Sequence, residues 1–220
     1  MNAPNSFASG SPGPRPGDLR IGPARAERRL VLLHGWGADA DDLLELGQEL
    51  VDRDVEVVAL RAPGLHPAGT GRQWYPLAPA PDWDALPAAR QELRERLEQL
   101  GGTLPLERTV LLGFSQGGAM AVDVATSAAG LPLAALISCS GYPHPEWQPQ
   151  ARGLPVLLTH GRQDTVVPAE ACLALEEPLR TAGAQITRRL FEGGHGITPE
   201  VFPEMRRFID QAWSSTTDRT

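Results

Sequence analysis

From residue 28 onward, short runs of uniformly apolar residues alternate with longer stretches in which apolar positions recur every three or four residues. The aliphatic run at 30–33 predicts a strand, and 41–51 predicts a helix, with Leu43, Leu46 and Leu50 beside Leu44 and Val51 at helical spacing. A strand at 55–60 follows. The segment 87–100 opens on a proline suited to a first helical turn and places Ala89, Leu93, Leu97 and Leu100 on one face. The same reading predicts strands at 109–112, 133–139, 155–159 and 185–191. Helices are predicted at 116–129, 168–182 and 201–213.

Strands without polar alternation are covered on both faces, and strands separated by helices pair mainly in parallel. The expected fold class is therefore α/β, a doubly wound, mainly parallel sheet with helices on both sides. In such sheets functional loops lie beyond the carboxyl ends of the strands, where His34, Ser115 and His160 all fall. Residues 1–26, rich in Pro, Gly and Ser, are expected to form a disordered tail. Residues 27–214 are expected to form one domain, and 215–220 a short C-terminal tail.

At 220 residues, with 41% hydrophobic and 21% charged content, the chain can bury one substantial core. A formal charge of −7 disfavours nucleic acid and anionic membrane surfaces. Cys139 and Cys172 are too few for a disulfide scaffold and read as reduced, buried thiols. The first residues carry no apolar core of signal-peptide length and no myristoylation glycine, so a cytoplasmic protein without a stable membrane anchor is expected.

The chemistry begins at Gly113-Phe-Ser-Gln-Gly117, a G-x-S-x-G pattern between a predicted strand and a predicted helix. A strand that turns at once into a helix strains the serine backbone and crowds its neighbours, which explains the flanking glycines. The turn exposes the hydroxyl of Ser115 as a candidate nucleophile. The pentapeptide alone also fits a glycine-rich turn without chemistry.

A serine needs a base to take its proton and an acid to orient that base. Of the five histidines, His195 stands in Glu-Gly-Gly-His-Gly after the strand at 185–191, with glycines leaving room around its ring. Asp164 follows the strand at 155–159; read alone, it is an ordinary turn residue or a helix cap. The order Ser115, Asp164, His195, each at a strand end, matches the chain order of α/β-hydrolases. An oxyanion needs two backbone donors: the amide of Gln116 and, from the loop His34-Gly-Trp-Gly37, that of Trp36. The side chains of His34 and Trp36 read as a hydrogen-bonding turn residue and a packing residue. The long Pro-rich connection at 62–87 carries Trp74, Tyr75, Leu77 and Trp83, and the first three are candidate substrate-pocket residues.

Five segments carry a resemblance: Leu-His-Gly-Trp-Gly-Ala-Asp at 33–39, Arg-Gln-Trp-Tyr at 72–75, Gly-Phe-Ser-Gln-Gly-Gly-Ala at 113–119, His-Gly-Arg-Gln-Asp-Thr-Val-Val-Pro at 160–168 and Gly-Gly-His-Gly-Ile at 193–197. Together they resemble the phospholipase/carboxylesterase family, which includes the acyl-protein thioesterases, from about Leu30 to the last helix. The resemblance implies an α/β-hydrolase fold and a Ser-His-Asp hydrolase of carboxylic esters or thioesters that uses no metal or cofactor. It implies a triad of Ser115, Asp164 and His195, oxyanion donors at Trp36 and Gln116, and a lid-side loop at 72–75 next to the acyl groove. Trp36 replaces the smaller aliphatic residue usual in the family.

The expected partner is a small-molecule ester or acyl thioester, the protein acting as a monomer or homodimer. Long-chain acyl-protein thioesterase or lysophospholipase activity is the alternative. A binding module that has lost its chemistry is a third reading, against which stands the retention of Ser, Asp and His with their glycines.

Overall fold

The computed structural model describes residues 17–127 and 130–217. In chain order the strands and helices are β1 (Leu19–Ile21), β2 (Arg29–Leu33), α1 (Leu44–Leu50), β3 (Glu56–Leu60), β4 (Gly64–Leu65), β5 (Arg72–Gln73), α2 (Leu86–Gly101), β6 (Thr109–Phe114), α3 (Gln116–Thr126), β7 (Ala135–Cys139), β8 (Pro155–Gly161), α4 (Glu170–Thr181), β9 (Gln185–Phe191) and α5 (Phe202–Thr217). One seven-stranded sheet runs β1-β3-β2-β6-β7-β8-β9, and β4 pairs with β5 in a small hairpin. Every neighbouring pair in the large sheet is parallel except β1 with β3.

The period of two along a strand sorts the core into two layers. Val31, Leu33, Leu111, Leu136 and Val156 point to one face and pack with Leu93 and Leu97 of α2, Met120 and Val124 of α3, and Leu175 and Leu179 of α4. Leu30, Leu32, Val110, Leu112 and Ile137 point to the other and pack with Leu50 of α1 and Met205, Ile209 and Trp213 of α5. Both faces of the central strands are thus covered, as their unbroken apolar sequence requires. Every residue of α3 is buried, which explains why its sequence lacks an amphipathic stripe.

The sheet differs from the sequence expectation at its ends. Leu19–Ile21, inside the segment expected to be a disordered tail through residue 26, form an edge strand antiparallel to β3. Its partners are backbone groups, which composition does not register, while Asp18 accepts from the Arg61 amide and pairs with buried Arg96. Residues 1–16 lie outside the described residues. At the other end α5 continues to Thr217, past the expected boundary at 214. The helix expected at 116–129 ends at Thr126, and Ala128 and Ala129 lie outside the described residues. A 3-10 turn at Ala40–Leu43, capped by Asp39, precedes the shorter α1.

Candidate active site

Ser115 occupies the turn between β6 and α3 with φ 55° and ψ −119°, a left-handed conformation costly for any residue with a side chain. Its amide donates to the carbonyl of Cys139 at 2.8 Å, and its carbonyl accepts from Ala119 at 3.0 Å, so both flanking elements hold the strained residue. The two pattern glycines are required by close approach. A Cβ on Gly113 would lie 2.1 Å from the carbonyl oxygen of Gly117, and one on Gly117 would lie 2.2 Å from that of Leu33. Any side chain at either position would push α3 away from the sheet.

Asp164 follows β8, and its side chain is fully buried. Its Oδ1 accepts from the amides of Val166 and Val167 at 2.9 and 2.8 Å, and its Oδ2 accepts from His195 Nδ1 at 2.7 Å. Burial alone would raise its pKa, but the hydrogen bonds from His195, Val167 and Val166 outweigh burial and hold the carboxyl below its ordinary value. An ionised Asp164 fixes the proton on Nδ1 of His195. The opposite nitrogen, Nε2, then accepts from the Ser115 hydroxyl, whose Oγ stands 2.9 Å away. The loops that carry Asp164 and His195 are tied by the hydrogen bond from Gln163 N to Gly193 O, and the Phe114 ring packs on His195 at 4.9 Å.

The loop after β2 closes over the same point, for a Cβ on Gly35 would lie 3.4 Å from the Cβ of Ser115. His34 is buried and hydrogen-bonded: Nε2 accepts from Ala62 N at 3.1 Å, and Nδ1 donates to Gly35 O at 2.8 Å. Burial pushes its pKa down, which suits this neutral tautomer. Trp36 is 37% exposed; its indole donates to Gln73 Oε1 and its ring meets His66 edge-on. The loop backbone is clamped to the hairpin by the bonds from Gly37 N to Arg72 O and from Arg72 N to Ala38 O.

Two of the expected pocket residues are corrected. Trp74 and Tyr75 are 4% and 2% exposed and belong to the core, leaving almost no surface for a ligand. Trp74 donates its indole N–H to His34 O and its amide to Gln116 Oε1, and Gln116 Nε2 donates to Tyr75 O. These residues brace the loops around Ser115. Leu77 packs, partly buried, against the same core, while Trp83 keeps 37% of its surface exposed. Sequence reasoning found the strand-end residues but missed the side chain of Gln116 as a clamp. It also missed Asp123, whose one legible signal was a charge inside an otherwise apolar helix.

The remaining candidates do other work. His160 is buried and donates Nε2–H to Val167 O at 2.8 Å, which supports the turn that holds Asp164. Cys139 and Cys172 are free and buried, and burial pushes their thiols up to about 12 and about 11. Neither is a thiolate nucleophile at neutral pH. Among the described residues no three His, Cys, Asp or Glu gather as a metal site, and no helix is long and apolar enough to cross a membrane.

Residues 21–213 match a family model described as Phospholipase/Carboxylesterase. Esterase YpfH of Escherichia coli (strain K12) is 26% identical over 182 residues, 78% of this chain and 77% of that one. Acyl-protein thioesterase 1 of Eremothecium gossypii is 31% identical over 122 residues, about half of each chain. Among solved structures, esterase PE8 aligns with a TM-score of 0.80 at 30% identity and covers 89% of this chain and 97% of its own. The Bacillus cereus carboxylesterase aligns at 0.79 and 23% identity, over 89% and 93%, a likeness of fold.

Proposed function

The chain belongs to the phospholipase/carboxylesterase family and is a carboxylic ester hydrolase with the α/β-hydrolase fold, and we propose that Ser115, His195 and Asp164 carry its reaction. The observation that supports this most strongly is His195 placed between Ser115 Oγ at 2.9 Å and Asp164 Oδ2 at 2.7 Å. His195 Nε2 takes the hydroxyl proton as Ser115 Oγ attacks the acyl carbonyl. Asp164 keeps the ring in the required tautomer and stabilises the imidazolium. The amides of Trp36 and Gln116 hold the oxyanion, each worth ~3 kcal/mol of barrier. His195 then gives its proton to the departing alcohol or thiol, and water activated by the same nitrogen hydrolyses the acyl-enzyme.

We take the substrate to be a small, diffusible ester and the location cytoplasmic. Trp36, anchored by Gln73 and His66, puts a bulky ring beside the oxyanion loop, and the net charge of −7 disfavours an anionic lipid surface. The partial similarity to an acyl-protein thioesterase keeps long acyl chains as the second reading. Hydrolysis of p-nitrophenyl esters from acetate to palmitate by wild type and Ser115→Ala separates them. A Ser115-dependent optimum at short chains supports the carboxylesterase, and one at long chains the thioesterase or lysophospholipase. Equal activity in Ser115→Ala would defeat the assignment.

A further inference from the structure

Away from the triad, the chain holds a second series of acid, imidazole and hydroxyl. Asp123 Oδ2 lies 2.6 Å from His144 Nδ1, His144 Nε2 lies 2.9 Å from the Tyr75 hydroxyl, and that hydroxyl lies 2.7 Å from the Tyr142 hydroxyl. Arg90 donates to Asp123 Oδ2 at 2.7 Å, and Ser127 donates to Oδ1. The series is no second nucleophile, because Tyr75 is 2% exposed and burial raises the pKa of its hydroxyl far above that of an ordinary phenol.

Its protons nevertheless have a direction. Burial alone would raise the Asp123 pKa, but hydrogen bonds from His144, Ser127 and Arg90 hold the carboxyl below its ordinary value, so it accepts only. His144 must then donate through Nδ1. Arg90 already balances the carboxylate charge, so a neutral imidazole leaves no net charge buried. Nε2 is then an acceptor, Tyr75 must donate to it, and Tyr142 must donate to Tyr75. Both phenol protons point toward Asp123. The Tyr142 oxygen is left with free lone pairs, and burial pushes its own pKa up to about 12, so it keeps its proton at neutral pH.

The backbone that carries the outer end of the series adjoins the backbone around Ser115. Tyr142 follows β7, whose last residue, Cys139, accepts the Ser115 amide. A Cβ on the preceding Gly141 would lie 3.2 Å from Ala119 N in the first turn of α3. On the other side Tyr75 O accepts from the Gln116 side chain. Tyr75 and His144 are buried, whereas Tyr142 is partly exposed. Tyr75 packs with the core on the α2–α3 face of the sheet, and the His195 loop, through Ile197 and Val201, packs on the α5 face. A leaving group must reach His195, which puts the acyl part on the side of Tyr142.

We propose that Tyr142 is a specificity-determining residue whose oxygen, left as an acceptor by the Asp123–His144–Tyr75 series, selects acyl groups that carry a hydroxyl or N–H donor. The inference rests on the serine-hydrolase reading above. The test compares kcat/KM for p-nitrophenyl butyrate, 3-hydroxybutyrate and 3-oxobutyrate in wild type, Tyr142→Phe, Tyr75→Phe and Ser115→Ala. Wild type should favour the hydroxy ester over the oxo ester, and Tyr142→Phe should reduce that ratio about fivefold, the worth of one neutral hydrogen bond. Tyr75→Phe frees the Tyr142 hydroxyl to donate and should raise the oxo ester relative to the hydroxy ester. An equal ratio in wild type and Tyr142→Phe, with Ser115-dependent hydrolysis of butyrate intact, overturns the inference and leaves the hydrolase reading standing. An unchanged ratio in Tyr75→Phe overturns the role of the series. Ser115-independent hydrolysis of all three esters defeats both.

Discussion

Gly117→Ala adds one methyl group at the point where α3 meets the sheet. Its Cβ would lie 2.2 Å from Leu33 O and 2.5 Å from His34 O. Both are backbone atoms, so no rotamer change relieves the contact. Leu33 is registered with Leu60 on one side and Gly113 on the other, and the end of β2 cannot yield. The start of α3 must therefore retreat by about 1 Å and carry Ser115 with it, and a displacement of that size costs roughly 10²-fold in rate. Overpacking of this kind costs about 1–3 kcal/mol, and each kcal/mol lowers Tm by about 2–4 °C in a chain of this size. The assay is kcat/KM on p-nitrophenyl acetate beside thermal unfolding. Gly196→Ala is the stability control, because a Cβ there meets nothing within 4 Å. A Gly117→Ala protein with kcat/KM within about threefold of wild type would refute the reasoning that this contact places the nucleophile.

Asp164→Asn keeps an oxygen for the Val166 and Val167 amides but turns an N–H toward His195 Nδ1, which forces the proton onto Nε2 and disables the base. A kcat drop of about 10⁴-fold in a protein that still folds is expected, and a loss below about tenfold would contradict the assigned tautomer. Asp164 and Asp123 both titrate below the ordinary value of 3.8 in the folded protein. Their stabilisation is therefore complete above that value and lost as pH falls through their lower folded values. Tm measured against pH should decline in that acid window, less steeply in Asp123→Asn, and identical acid limbs would speak against the Asp123 contribution. Arg29 is 1% exposed and binds Glu56, Thr103 and the carbonyls of Leu100 and Leu104, far from the reacting groups. Arg29→Ala should cost about 3–5 kcal/mol in denaturant unfolding by leaving buried acceptors unpaired, while kcat of the folded protein stays unchanged.

The central strands and their helices were legible because burial on both faces leaves an unbroken apolar run, and the placing of Ser115, Asp164 and His195 together because a strained turn and a crowded loop demand glycines at fixed offsets. β1 left no such trace, since a three-residue edge strand is held by backbone pairing with β3. The β4–β5 hairpin is two residues long on each side, too short for any period to show. Trp74 and Tyr75 looked like pocket residues because aromatic residues in a long loop suit ligand contact. Their burial comes from partners remote in sequence, Gln116, His34 and His144, which a linear pattern does not bring together. His144 stands between two prolines in a sequence that marks it in no other way, and only the fold sets it against Asp123.

The central claim is that Ser115 is an activated nucleophile, and a fluorophosphonate probe followed by peptide mass spectrometry tests it most directly. The account predicts one adduct on the peptide containing Ser115, absent in Ser115→Ala and formed far more slowly in Asp164→Asn. Folded wild-type protein that takes up no probe, or takes it up on another residue, would contradict it.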